Sequence, residues 1–205
     1  MKTKNATVLG IAAGALMLSA LPAAAAVEVG SQEVSVYGGW SWGDEITDAA
    51  LDGTRPKLDD DAVFGVRYAY HFTDQWGLEL SAGHSPNAVT RLVGGDTDLD
   101  LTTLDVNAVW HIGTQSPIVP YLTAGIGYAI ADLDRPLTGV VNGAAVSIDD
   151  DDGFTANAGV GVKYFATDAV VLRLEARYRY LDKVVDAFDR SLSTVETTLG
   201  VSWQF

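Results

Sequence analysis

Few residues of this 205-residue chain have types and spacings that could do chemistry. His84-Ser85 pairs a base with a hydroxyl, the start of a hydrolytic triad, but the sequence fixes no acidic third member. His71 and His111 could share a metal, yet no inward acid beside them completes a ligand set. "DTDLD" (Asp96–Asp100) and "IDDDDGF" (Ile148–Phe154) have the carboxylate density of calcium loops. The first lacks the Gly after its third Asp, and the second lacks alternating spacing and a downstream bidentate Glu. The chain has no Cys, so thiolate sites and Cys nucleophiles are excluded. The expectation is a protein without enzyme activity, metal or cofactor.

The remaining reactive groups are charges, and their spacing is regular. Arg67, Glu79, Asp105, Lys163, Arg173, Glu175, Arg177 and Arg179 each sit between apolar or aromatic neighbours in segments of period 2, and Glu196 follows Val195 in another. "AVFGVRYAYHF" sets Phe64, Val66, Tyr68, Tyr70 and Phe72 against Gly65, Arg67, Ala69 and His71. "VVLRLEARYRY" sets Val170, Leu172, Leu174, Ala176, Tyr178 and Tyr180 against Val171, Arg173, Glu175, Arg177 and Arg179. Eight such segments run from "VSVYGGWSW" to "STVETTLGVSWQF". In the fourth, "LTTLDVNAVWHI", the phase breaks at Thr102-Thr103, which predicts a bulge.

The connections alternate in length. "TDQ", "GTQSP" and "ATD" are turn-like, whereas the other connections are acidic blocks: Asp44 to Asp61, Asp96 to Asp100, Asp132 to Asp152 and Asp182 to Asp189. Tight turns at one end and long loops at the other describe an all-β, eight-stranded antiparallel up-and-down meander. Ahead of it, Lys2 and Lys4, an apolar run and Ala24-Ala25-Ala26 read as a signal peptide over 1–26, cleaved near Ala26. Residues 27–205 form one domain. Losing Lys2 and Lys4 takes the net charge from -14 to about -16, which excludes a nucleic-acid partner.

The two faces decide the environment. The apolar face carries all five Trp residues, while the polar face mixes charge with many Gly. A water-facing surface has no use for those glycines, but a narrow lumen crowds whatever points inward. With the N-terminus at the periplasmic side, Phe72, Trp76, Trp110, Tyr164, Trp203 and Phe205 fall near one rim. Trp40, Trp42, Tyr128, Phe154, Tyr178 and Tyr180 fall near the other, and aliphatic residues lie between. Two aromatic girdles around an aliphatic band mark a transmembrane β-barrel of the bacterial outer membrane.

Three stretches resemble the OmpA-type eight-stranded outer-membrane barrels: "WGLEL", "GVGVKYFATDAVVLRLEARY" and the closing "LGVSWQF". The resemblance covers essentially all of 27–205. It implies a lumen salt bridge between Glu79 and Arg173 that can gate the interior. Asn107 and Lys163 stand where that family carries a base and an acid, so the network must be wired differently. The resemblance also implies that the terminal Leu199, Val201, Trp203 and Phe205 are read by the barrel assembly machinery.

From the residues themselves, the lumen is expected to be a salt-bridge stack of Arg67, Glu79, Asp105, Lys163, Arg173, Glu175, Arg177 and Glu196. The expected role is structural or surface-interacting. A narrow channel for small or hydrophobic solutes, similar to the OmpW-type barrels, is the alternative, and a lipid-modifying enzyme a further one. The partners expected are outer-membrane lipids and lipopolysaccharide, the assembly machinery and periplasmic chaperones, with divalent cations at the acidic loops.

Overall fold

The computed structural model describes residues 27–43, 57–58, 61–90, 97–133, 137–141, 144–148, 151–181 and 192–205. The predicted signal peptide and most of the acidic blocks lie outside the described residues. Eight long strands form the wall: β1 (Gln32–Gly43), β2 (Asp61–His71), β3 (Trp76–Thr90), β4 (Thr97–His111), β5 (Ile118–Leu133), β6 (Asp151–Phe165), β7 (Val170–Leu181) and β8 (Leu192–Gln204). Each pairs antiparallel with its sequence neighbours, and β1 pairs with β8, so the sheet closes. Among the described residues no helix is long and apolar enough to cross a membrane; the strands are the crossing elements.

The stagger follows from the register. Cross-strand partners lead from Gly43 through Thr194, Arg179, Asn157, Gly125, Asn107, Glu79 and Ala69 back to β1 at Glu33. One circuit therefore advances from position 43 to position 33 on the same strand. With ~3.3 Å per residue and ~4.8 Å between strands, that shear tilts the strands by ~40° and leaves a lumen only wide enough for side chains.

The predicted alternation holds through the wall. Val66, Tyr68, Leu78, Leu80, Leu172, Leu174, Leu199 and Val201 point outward and are exposed, whereas Arg67, Glu79, Arg173 and Glu175 are buried inside. So much exposed apolar surface is stable only against lipid. The short connections at the turn end match the predicted ones.

Two expectations change at the loop end. No bulge occurs at Thr102-Thr103; Gly83 pairs with Thr103, His84 with Thr102 and Ser85 with Leu101 in unbroken register. What switches is polarity. Lower on β4, Asp105 is inside and Leu104 and Val106 are outside; above Thr102, Leu101 is inside and Asp100 outside. The strand has left the hydrocarbon and entered water, so the acid turns outward without any slip of the chain. For the same reason part of the acidic blocks is strand: Asp98, Asp100, Asp132 and Asp152 pair within β4, β5 and β6. β3 to β6 are 15 or 16 residues long, more than the ~9–11 that a membrane strand needs.

A ribbon of Leu137–Val141 against Ala144–Ile148 stands in a stretch read from the sequence as loop. Asn142-Gly143 between its arms is a strong hairpin signal that the neighbouring Asp residues obscured.

Candidate functional site

The lumen gathers the polar side chains, and their order follows from the inward positions of each strand. Among the described residues, buried Glu33, Glu79, Asp105, Glu175 and Glu196 face buried Arg67, Lys163, Arg173, Arg177 and Arg179. Five carboxylates meet five cations. Charge balance is what a space shielded from water requires.

Arg173, Glu79 and Glu175 form the centre. Arg173 Nη1 donates to Glu79 Oε2, and its Nη2 donates to Glu175 Oε2 at 2.7 Å. Its Nε donates to the Tyr121 hydroxyl at 2.6 Å, and that hydroxyl donates to Glu175 at 2.7 Å. Arg177 reaches Glu79 at 3.3 Å and Glu175 at 3.0 Å. Arg67 lies 3.1 Å from Glu175 and 3.8 Å from Glu79, the diagonal contact that the β2–β3 register allows. The guanidinium of Arg67 also lies over the Tyr37 ring, 3.9 Å from its centre.

Toward the loop end, Arg179 clamps Asp105 with two bonds of 2.6 and 3.0 Å and donates to Glu196 at 3.0 Å. Toward the turn end, Lys163 pairs with Glu33 at 2.6 Å. Seven of the eight predicted lumen charges therefore join, through Arg179 for Glu196, in one chain of contacts, while the eighth, Lys163, pairs separately with Glu33.

Asn107, the departure from the family pattern on β4, donates weakly to Glu79, at 3.5 Å, and to Ser81 at 3.3 Å. Lys163 finds its acid on β1 instead of on a neighbouring strand. Glu33 was missed by the sequence reading because it precedes the strand run quoted there. It continues the inward series Glu33, Ser35, Tyr37, which is the signal that could have found it. Tyr121 was also missed, since its ring reads as apolar while its hydroxyl works inside the network.

The glycines are explained by these side chains. A Cβ at Gly161 would run into the Tyr121 ring, one at Gly125 into Asn107 and one at Gly127 into Asp105. At Gly65 it would stand 2.6 Å from the Tyr37 hydroxyl. Each large inward group needs a bare backbone on the facing strand.

The stack is capped at both ends by apolar residues. Val63, Leu101, Ala129, Ala131 and Leu181 are buried toward the loop end, and Val27, Val119, Phe165 and Val171 cluster at the turn end.

The other candidates separate. His84 points outward, 3.1 Å from the Thr102 hydroxyl and edge-on to Phe64. The Ser85 hydroxyl donates inward to the Ala62 carbonyl at 2.8 Å. Neighbouring strand residues face opposite sides of the wall, so this pair does not converge. His71 and His111 do meet, with ring centres 5.1 Å apart. Among the described residues no group of three or more His, Asp or Glu could hold a metal ion. Asp96, Asp149 and Asp150 of the acidic motifs lie outside the described residues.

The predicted girdle residues stand at the two ends of the outer face. Trp76 and Trp110 stack 6.2 Å apart at the turn end, and Tyr128 meets Phe154 edge-on at 5.7 Å toward the loop end. Trp40, Trp42, Tyr178 and Tyr180 are exposed at the loop end, as are Phe72, Trp203 and Phe205 at the turn end, where Tyr164 is half-buried. Leu199 and Val201 continue the outward row of β8.

Residues 11–205 match the family described as outer membrane protein beta-barrel domain. The Neisserial surface protein A is similar in structure, with a TM-score of 0.62 and 20% identity, over 86% of this chain and 99% of that one. The attachment invasion locus protein of Yersinia pestis, solved with the heparin analogue sucrose octasulfate, gives 0.53 and 19% over 87% and 100%. OprG from Pseudomonas aeruginosa gives 0.54 and 19% over 87% and 97%. No curated protein matches the chain.

Proposed function

The chain belongs to the outer membrane protein beta-barrel domain family, and from that premise we propose a structural, surface-presenting role in the bacterial outer membrane. In this reading the lumen is a packed polar core and conducts nothing. The observation that carries it is the balanced set of buried charges: each of the three central arginines contacts both Glu79 and Glu175. A gate that opened at Glu79–Arg173 would still leave Arg173 held by Glu175 and Tyr121. Arg67 and Arg177 would still block the same level. Breaking a pair in so dry a space costs about 3–5 kcal/mol, which disfavours opening by thermal fluctuation.

The leader over 1–26 is removed on export, and the mature chain starts near Val27. Lipids and lipopolysaccharide contact the girdled outer face. The assembly machinery reads Leu199, Val201, Trp203 and Phe205, periplasmic chaperones escort the chain, and divalent cations bridge the acidic loops to lipid phosphates. The protein is not an enzyme; the divergence of His84 and Ser85 supports this. Liposome-swelling assays with graded sugars, and uptake of a hydrophobic solute, test the proposal. Protein-free rates support it, whereas size-dependent uptake favours the narrow-channel alternative. Lipid A of cells with and without the protein gives identical mass spectra if no lipid is modified.

A further inference from the structure

At the turn end of the barrel, the chain ahead of β1 does not hang free. Ser31 N–H donates to the Glu28 carbonyl at 3.2 Å, and Gly30 stands in this turn with φ at 86°, a conformation that suits Gly. Reversal at Gly30 brings Val27 back beneath the lumen. Its side chain is buried against Val119, Phe165 and Val171, the lowest inward residues of β5, β6 and β7. Val29 faces outward and is 67% exposed.

The turn is fastened to the wall as well. Gly30 N–H donates to the His71 carbonyl at 2.7 Å, and His71 N–H to the Ser31 carbonyl at 3.0 Å. The Ser31 hydroxyl donates to the Glu28 carbonyl at 2.7 Å, so it accepts from His71 Nδ1, 3.1 Å away. That fixes which His71 nitrogen carries the proton and leaves Nε2 turned toward Lys163, at 3.5 Å.

Directly above lies a buried polar cluster of Glu33, His71, His111, Tyr121 and Lys163. It is bounded on the far side by the Glu79–Arg173 level of the stack. Among the described residues neither ring nitrogen of His111 has a hydrogen-bond partner.

We propose that Val27–Ser31 is a plug that closes the periplasmic mouth of the lumen beneath this polar cluster. The turn conformation at Gly30 and the seat of Val27 hold it shut. Water and small solutes reach His71 and His111 only when it opens. The inference goes beyond the structural role above and holds whether or not the outer surface binds a partner.

The test is the rate at which diethyl pyrocarbonate modifies each histidine of the refolded 27–205 barrel, read by peptide mass spectrometry. Heat-modifiable gel mobility selects the folded protein. Val27→Asp puts a charge into the apolar seat. Gly30→Val strains the turn without touching the polar cluster, because open space surrounds that position. Val29→Asp changes only the outer face. The expected result is slow modification of His71 and His111 in the parent and in Val29→Asp, and at least tenfold faster modification in the other two. Equal rates in all four proteins, or fast modification in the parent, would overturn the proposal.

Discussion

Arg173 makes three charge-assisted contacts from one guanidinium, to Glu79, Glu175 and Tyr121. Removing it leaves two buried carboxylates short of a partner. Arg173→Ala should therefore lower unfolding stability by about 3–5 kcal/mol, measured by urea denaturation in micelles. Glu79→Ala should cost a similar amount, and the double variant less than the sum, since the two share a network. Raising the salt from low to molar should barely change these differences, because the pairs are shielded. The inward charges were legible in the sequence because lipid enforces strict alternation. Not all of their partners were: Glu79–Arg173 came with the family resemblance, but the Lys163–Glu33 pair joins strands 130 residues apart in sequence, and the shear that brings them level is set by the closed sheet.

At the scale of an element, β4 shows what a sequence pattern can hide. Asp100 outside with Leu101 inside, then Leu104 outside with Asp105 inside, looks like a slip of phase, yet the register is continuous. The solvent changes from water to lipid along one strand. Leu101→Asp should lower stability by about 1–3 kcal/mol through loss of the upper apolar layer, without shifting the register. Gly161→Leu should cost about as much by displacing the Tyr121 ring, and the loss should shrink when Tyr121→Ala is added. Both are read from denaturation midpoints. β8 closes the wall against β1, and Phe205 and Gln32 exchange backbone hydrogen bonds at 2.9 and 2.8 Å. Deleting Phe205 removes that seam contact and should reduce the heat-modifiable fraction in cells; an unchanged yield would count against it.

For the whole molecule, strand count, antiparallel order and the two ends followed from alternation and loop length. The extension of β3 to β6 beyond the bilayer and the ribbon after β5 did not, because acidic residues read as loop whether they lie in a strand above the membrane or in a connection. The molecule is a lipid-facing wall around a lumen filled in three layers, apolar at each end and ionic between. In the proposed structural role, that filling makes the barrel a rigid post whose described lumen charges balance. The most direct measurement is single-channel recording of the refolded 27–205 barrel in a planar bilayer. A packed ionic lumen predicts a baseline indistinguishable from bare lipid, for the parent and for Glu79→Ala alike. Stable conductance steps in the parent, or a conductance that appears when Glu79 is removed, would contradict it.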